Sequence, residues 1–269
     1  MQNCIGRCRP PRLVRRIRIG YQTAMDTDLS ADRQKRISIG FLNWAHAIDH
    51  FVILIFATVV IQLQVVEGRS YSDLIWRGTG LFLAFGVFSL PAGWLADRWS
   101  RRHMMTVFYF GCGVSLAAAA FAPDMTGLAI ALAALGMFAA IYHPVGMAML
   151  IELSQARGRT MAFNGVCGNL GAALAAGITA ALVAWMGWRA AFLVPAVICI
   201  VSGFVFLAMV PTDEHRTGKR KSVAEVVFSQ RAAIVIFALY VVISLVSGLI
   251  FNSVSVRCRR SWTSASASR

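Results

Sequence analysis

Polar and ionisable side chains interrupt the first long apolar stretch of the chain, at Asn43, His46, Asp49 and His50. On a helix, Asn43, His46 and His50 share one face because they follow the i, i+3, i+7 spacing, and Asp49 lies three residues from His46. A carboxylate beside imidazoles can exchange protons near neutral pH. The spacing therefore indicates a substrate or proton-coupling site. A buried hydrogen-bonded cluster, a helix-packing contact or an HxxxH metal pair are the alternatives.

A second polar group, Tyr142 and His143 followed by Pro144, lies in the fourth apolar stretch. Counted from the ends of their stretches, His46 and His143 lie at similar depths, roughly 10–12 Å from the inner surface. Transporters built from three-helix repeats place their sites on corresponding helices of the two repeats. Spans 1 and 4 are such counterparts. We therefore predict one polar cavity, lined by His46, Asp49, His50, Tyr142 and His143. A kinked helix with a buried histidine is the alternative for His143-Pro144.

Composition shows what must position these groups. The chain has 269 residues, of which 58% are hydrophobic and only 14% are charged, against about 25% charged residues in soluble domains. Apolar runs of membrane-spanning length predict an integral membrane protein made of helices, because unpaired backbone groups in lipid are costly. Seven spans can be drawn, at about 39–61, 78–96, 104–122, 127–150, 161–184, 190–210 and 232–251.

The basic residues fix the predicted orientation. Of the 26 lysines and arginines, 19 lie before span 1 or after spans 2, 4 and 6. Positive charge stays on the cytoplasmic side, so we predict a multi-pass inner (plasma) membrane protein with a cytoplasmic N-terminus. The net charge of +14 sits in short segments between apolar runs, which argues against nucleic acid as a partner. The six cysteines form no CxxC pair and no GxxxxGK[ST] motif is present, so we predict no disulfide framework, no cofactor and no direct use of ATP.

The spans and the polar segments divide the chain into five parts. The predicted domains are a basic cytoplasmic segment at 1–38, a six-helix bundle at 39–210, a cytoplasmic central loop at 211–231, a seventh helix at 232–251 and an aberrant tail at 252–269. Residues 1–24 are either a mis-called start or a true basic tail, since Met25 opens a more ordinary beginning. The Ser- and Arg-rich tail is typical of out-of-frame translation, so we expect a frameshifted, truncated product.

The short turn between spans 2 and 3 carries Gly93, Asp97, Arg98, Arg101 and Arg102. A glycine lets helices approach closely, and we expect the three guanidinium groups to hold the turn at the anionic inner face. By composition alone this could be an ordinary positive-inside loop. The turn resembles the loop signature of the major facilitator superfamily, G-x-L-a-D-r-x-G-R-R, with one departure. The matching residues are Gly93, Leu95, Ala96, Asp97, Arg98, Arg101 and Arg102, and Ser100 replaces the usual glycine.

The resemblance covers residues 39–251, and it implies the fold and a role for the turn. It implies an all-α polytopic membrane protein: a six-helix half-bundle of two three-helix repeats, plus a seventh transmembrane helix. In that family the signature is a gating latch that meets a helix of the second half, so Asp97 and Arg98 would be latch residues. The C-terminal half-bundle that would supply their partner is missing from this sequence, which is why we expect a truncated chain that could be inactive.

Two further patterns refine the resemblance. The His-x-x-Asp of span 1 and the His-Pro of span 4 resemble the fosmidomycin-resistance type of drug exporter. Span 5 carries small residues at three- and four-residue spacing, which predicts tight helix packing; the glycines are Gly165, Gly168, Gly171 and Gly177. Exporters of the family often carry G-x-x-x-G-P-x-x-G-G here. Ala175 and Ala176 stand where its Gly-Pro pair is expected, which weakens the inference of an antiporter.

Five other polar residues in and before span 5 have less specific interpretations. We expect Glu152, Arg157 and Arg159 to form local ion pairs in a solvated loop, with a second latch as the alternative. Asn164 and Asn169 could line the predicted cavity or form interhelical hydrogen bonds. The spacing does not choose between these two roles.

These patterns predict secondary active transport of a small molecule, by proton-coupled efflux with alternating access. The predicted partners are that small molecule, protons, the lipid bilayer and the missing half-bundle. An uptake carrier for a small organic solute is an alternative within the same class. A membrane metalloenzyme using the His/Asp cluster, a non-transporting adaptor and an inactive fragment are alternatives of other classes.

Overall fold

The computed structural model describes the backbone of residues 12–212, 229–239, 241–243 and 246, with side chains from residue 30 onward. Residues 213–228 of the predicted central loop, the end of the predicted span 232–251 and the whole of the predicted tail lie outside the described residues. The chain divides into two units, residues 1–214 and 215–269. In the second unit the described part is helical between Gln230 and Ile243, over an apolar segment shorter than a full membrane span.

The described part of the first unit is helical and contains no β-strand. Its helices are α1 (Arg12–Val52), α2 (Ile55–Glu67), α3 (Tyr71–Ile75), α4 (Thr79–Arg98), α5 (Arg101–Ala120), α6 (Met125–Ala139), α7 (Met147–Leu153), α8 (Arg157–Met186) and α9 (Ala190–Met209). A 3-10 turn, Trp76–Gly78, joins α3 to α4, and a π-helical turn, Tyr142–Gly146, lies between α6 and α7.

Six segments of the described chain are long and apolar enough to cross a membrane. They correspond in order to the first six predicted spans, which confirms the all-α membrane fold. Some segments combine two or more helices. The segments are Ser30–Glu67, Tyr71–Arg98, Arg101–Ala120, Met125–Leu153, Arg157–Met186 and Ala190–Met209.

Three of the four most extensive packings between the six segments follow an internal symmetry, and the fourth joins the third and fourth segments through α5 and α6. The first segment packs against the fifth through α1 and α8, the second against the fourth through α4 and α6, and the third against the sixth through α5 and α9. Exchanging segments 1–3 with segments 4–6 turns the first pairing into the second and leaves the third unchanged. This pattern is that of a three-helix unit present twice, and it makes segments 1 and 4 structural counterparts.

Two glycines mark where the paired helices approach most closely. A Cβ at Gly171 of α8 would clash with the carbonyl oxygen of Ala47 on α1, and one at Gly136 of α6 would clash with the carbonyl oxygen of Leu81 on α4. Small residues allow such backbone contact between membrane helices. These contacts bring α1 and the fourth segment, which carry the polar residues, into the centre of the unit.

Both counterpart segments are interrupted beside their polar residues. In the fourth segment the π turn contains Pro144, which has no N–H to donate to the preceding turn of helix, so the regular ladder cannot continue there. In the first segment α1 ends at Val52 and α2 begins at Ile55, with no proline between them. The sequence predicts the break in the fourth segment through Pro144, but it contains no comparable signal for the break in the first segment.

Candidate functional site

The structure brings three imidazoles of the predicted site together, two from α1 and one from the π turn. The ring centroids of His46 and His50 lie 4.8 Å apart, and that of His143 lies 5.5 Å from His46 and 5.7 Å from His50. We call these three residues the histidine cluster. They meet because segments 1 and 4 are in contact where each is interrupted.

Asp49 is the most buried charged residue beside the histidine cluster. Its exposed fraction is 0%, and its Oδ2 lies 3.3 Å from Nε2 of His143. Neither carboxylate oxygen has a hydrogen-bond partner among the described residues. A buried carboxylate without such partners is costly unless a cation or a proton compensates it. The site is therefore built to attract positive charge.

His46 is held in one orientation by its neighbours. Its Nδ1 lies 2.8 Å from the carbonyl oxygen of Asn164. Because a carbonyl can only accept, Nδ1 carries the hydrogen, and in the neutral ring the lone pair is on Nε2. That Nε2 lies 3.1 Å from Nε2 of His50. The ring also stacks on Tyr142 with centroids 4.8 Å apart, and a Cβ at Gly168 would meet it at 2.7 Å.

Asn164 of α8 connects both counterpart segments to the fifth. Its Nδ2 lies 2.9 Å from Oδ1 of Asn43 and 2.9 Å from the hydroxyl oxygen of Tyr142. Asn164 and Tyr142 are fully buried, and Asn43 is nearly so. The sequence left two roles open for Asn164, a lining of the predicted cavity and an interhelical hydrogen bond, and the structure shows the hydrogen bonds. The signal for Asn164 was an asparagine inside an apolar span, but the sequence gives the same signal for Asn169, which is exposed.

The histidine cluster is reached from the side of His143. The side chain of His143 is 40% exposed, and His50 is half-buried. The ring of Phe85 on α4 packs edge-on against His143, with centroids 5.9 Å apart. Gly93 lies beside the same turn, since a Cβ there would meet Cβ of Pro144 at 3.2 Å. The exposed edge of the histidine cluster is therefore at His143.

The turn between α4 and α5 is organised by Arg101. Its Nη2 lies 2.9 Å from Oδ1 of Asp97, and its Nη1 lies 3.2 Å from Oε2 of Glu152 at the end of α7. The guanidinium of Arg98 lies over the ring of Trp94 at 3.9 Å from its centroid. Glu152 therefore has an ion pair with a residue 51 positions away, in addition to the local pairs expected for it. Arg101 joins the start of the third segment to the end of the fourth.

Arg102 has a different position from the one expected. It is only 8% exposed, and its Nε and Nη2 donate to the carbonyl oxygens of Val210 and Leu207, at 2.7 and 2.6 Å. These carbonyls belong to the end of α9, where a helix has acceptors without helical partners. The prediction that all three arginines face the anionic surface is thus wrong for Arg102, which caps a neighbouring helix. Ser100, in place of the usual glycine, caps α5 by accepting from the backbone N–H of His103 at 3.2 Å.

Only two of the four glycines predicted to pack α8 do so in the described structure. Gly168 and Gly171 face α1, whereas a Cβ at Gly165 or Gly177 would meet no described atom within 4 Å. The reason is helical phase. The buried positions of α8 follow a three- and four-residue spacing, and Gly165 and Gly177 lie off that stripe; the stripe is Asn164, Gly168, Gly171, Ala175 and Thr179.

Comparison with known proteins agrees with this architecture. The family model of the Major Facilitator Superfamily matches residues 39–265 of the chain. The chain belongs to this superfamily. The match runs into the segment 252–269, and the interpretation of that segment as frameshifted stays a hypothesis.

Three relatives show the kind of protein that the superfamily member resembles. It is 32% identical over 157 residues to an uncharacterized transporter of Schizosaccharomyces pombe, which is 56% of this chain and 30% of the relative. It is 30% identical to the puromycin resistance protein pur8 of Streptomyces alboniger, again over 56% of this chain and 30% of the relative. It is 29% identical to the tetracenomycin C resistance and export protein of Streptomyces glaucescens, over 51% of this chain and 27% of the relative.

The aligned part of the superfamily member spans about a third or less of these relatives. The family and the names of the relatives point to transport and not to catalysis. With its six apolar segments, the chain is a multi-pass membrane protein of a transporter family.

Proposed function

We propose that the bundle is the proton- and substrate-binding half of a secondary active transporter that exports a small molecule. The observation that carries the proposal is Asp49, a fully buried carboxylate without a hydrogen-bond partner among the described residues, 3.3 Å from an imidazole. Ionisable residues at membrane depth mark substrate or proton pathways. This carboxylate is in direct contact with His143, whose side chain is partly exposed.

The geometry supports a two-step path for a proton. His143 is 40% exposed, so its imidazole can take a proton from water, and its Nε2 faces Oδ2 of Asp49 directly. Transfer to the carboxylate removes the buried negative charge, whereas loss of the proton restores it. A substrate that interacts with the charged form of the site would then compete with the proton, which is how antiport couples two fluxes.

The remaining predicted residues have supporting positions in this proposal. Asn43 and Tyr142 meet through Asn164 on the buried side of the histidine cluster. They can offer hydrogen bonds to a substrate only if that network rearranges. The latch role of Asp97 and Arg98 follows from the resemblance, and the ion pairs of Arg101 give the turn a defined shape for it.

Alternating access needs a second half-bundle facing the exposed edge of the site. The proposal therefore concerns an assembly in which this bundle is one of two halves. Relatives named for puromycin resistance and for tetracenomycin C export favour efflux of a drug-like molecule, in keeping with the resemblance to fosmidomycin-resistance exporters. A relative named as a probable L-galactonate transporter of Escherichia coli, 27% identical over 135 residues, keeps a sugar acid as a second candidate substrate class.

The test measures proton movement in everted membrane vesicles that contain the chain together with the C-terminal half-bundle of a full-length relative. Respiration acidifies the vesicle interior, and a panel of drug-like compounds and sugar acids is then added while a pH-sensitive dye reports proton release. We expect a compound to cause release, and Asp49→Asn to abolish that response. Asp32→Asn is the matched control, because Asp32 lies on the same helix and its side chain is 52% exposed.

Two results would contradict the proposal. Release that persists in Asp49→Asn would remove that carboxylate from coupling. A chain that gives no response with any compound, while a full-length relative responds in the same vesicles, would be the inactive version that the sequence analysis holds open.

The membrane orientation has its own test. We propose a cytoplasmic N-terminus, which places the Arg101 turn on the cytosolic side, supported by the distribution of lysine and arginine. A single cysteine introduced near the turn, at the exposed Arg98, should react with an impermeant thiol reagent in everted vesicles and not in intact cells. The opposite pattern would reverse the assignment of every loop.

A further inference from the structure

The histidine cluster has the dimensions of a metal site. One ring nitrogen from each of His46, His50 and His143 lies within 4.8 Å of the other two. A tetrahedral zinc ion with Zn–N bonds of 2.0–2.1 Å holds its nitrogen ligands about 3.3 Å apart. The pair from α1 is already at 3.1 Å. Rotation of the half-exposed His143 ring can close the remaining distance.

His46 is prepared as a ligand by its surroundings. Metal-bound histidines usually donate their other ring N–H to a carbonyl or carboxylate, which fixes the ring and its tautomer. Here Nδ1 of His46 makes that bond to the carbonyl oxygen of Asn164 at 2.8 Å and leaves the Nε2 lone pair directed at the cluster.

Asp49 supplies an independent observation that points to a cation. It is fully buried, both of its oxygens lack hydrogen-bond partners among the described residues, and Oδ2 is 3.3 Å from Nε2 of His143. An anionic oxygen beside one of the three ligands adds negative charge that favours a cation at the histidine cluster. Imidazole with carboxylate suits zinc and its neighbours in the first transition series, whereas magnesium and calcium prefer oxygen alone.

We propose that His46, His50 and His143 form a binding site for one divalent transition-metal cation, with zinc as the reference ion and Asp49 as the adjacent negative charge. The sequence alone showed a pair of histidines without a third ligand, and the contact between segments 1 and 4 provides it. Binding would break the contact between the two Nε2 atoms of α1. The hydrogen that Nε2 of His50 donates to His46 would move to Nδ1 of His50, so that both Nε2 lone pairs face the metal. The proposal concerns equilibrium binding and does not depend on transport by this chain.

The experiment is a metal titration of the purified 269-residue chain in detergent, carrying an affinity tag without histidine. Cobalt is added first because its visible absorption becomes intense in a tetrahedral site, and zinc is then added to displace it. We expect about one cobalt per chain, displaced by about one zinc. His143→Gln and His50→Gln should each weaken zinc binding at least about 100-fold, since changes in the outer shell alone cost 10–100-fold.

His103→Gln is the matched control, because His103 lies on α5, stacked on Trp99 and away from the cluster. It should bind zinc as the parent chain does. Equal affinity in the parent and in both cluster variants would overturn the proposal, as would a cobalt spectrum without tetrahedral bands. Size-exclusion profiles and helical circular dichroism identify a variant that has failed to fold, and Asp49→Asn, of nearly unchanged shape, then provides the third test.

The outcomes separate this proposal from the proposed transport. Zinc binding without compound-driven proton release would retain the metal site and remove the transport role. Proton release that depends on Asp49, in a chain that binds no zinc, would retain the transport role and remove the metal site.

Discussion

Replacing Asn164 by leucine should destabilise the bundle more than any other change of one polar residue on α8. Asn164 donates to Asn43 and Tyr142, each at 2.9 Å, and its side chain is fully buried. Leucine has the same branching and the same number of side-chain heavy atoms as asparagine and suits a membrane helix, so the change removes hydrogen bonds without leaving a large cavity. The effect therefore reports the polar network itself.

The expected magnitude follows from those contacts. Interhelical hydrogen bonds in a membrane protein contribute about 0.6 kcal/mol each on average, so two account for about 1.2 kcal/mol. Oδ1 of Asn43 would also remain buried without its donor, which costs about 1–3 kcal/mol. Since leucine regains some of this through apolar contact, we expect the free energy of unfolding to fall by about 2 kcal/mol.

The assay is reversible unfolding in mixed micelles, with the mole fraction of sodium dodecyl sulfate increased stepwise and helix content followed by circular dichroism. Asn169→Leu is the control, because it makes the same change five residues along the same helix at an exposed position. It should shift stability by less than about 0.5 kcal/mol. If the two variants are equally stable, the network contributes nothing measurable and the reasoning fails.

A double-mutant cycle identifies the partner. Asn43→Ala and Asn164→Leu should be less than additive, with a coupling energy of about 0.5–1.7 kcal/mol. Strict additivity would show that the contact between the two amides has no energetic consequence.

Two further predictions use the same unfolding assay. Gly171→Val should destabilise the unit by about 1–3 kcal/mol, because its side chain would push into the carbonyl of Ala47. Gly177→Val, which would meet no described atom within 4 Å, should be within about 0.5 kcal/mol of the parent, and similar values for both would contradict the assigned helix contact. Arg102→Gln should cost about 2 kcal/mol, since charged donors to two buried helix-end carbonyls are lost. Arg101→Gln should cost less than about 1 kcal/mol because both of its carboxylate partners are more than a third exposed, and a reversed order would refute the capping role.

The sequence was sufficient for the first six membrane segments and for selecting the candidate site residues. Apolar length and charge placement predicted seven membrane spans, since lipid requires long apolar helices and excludes charge. The first six correspond to segments of the described chain, and the seventh lies partly outside the described residues. The same physics made Asp49 and the histidines conspicuous, because an ionisable group is unusual in such a segment. Equal depth on counterpart segments then placed His143 near His46 before any contact was known.

The tertiary structure decided which face of each helix meets a neighbour. Asn164 and Asn169 are chemically identical, as are Gly171 and Gly177, yet one of each pair is in contact with α1 and the other is not. A membrane helix is apolar on all sides, so its sequence carries little amphipathic signal for its rotation about its own axis. The long-range partners of Arg101 and Arg102 were hidden for a related reason. A guanidinium on a loop satisfies the positive-inside rule equally well in water, at a headgroup or on a neighbouring helix end, and only packing selects among them.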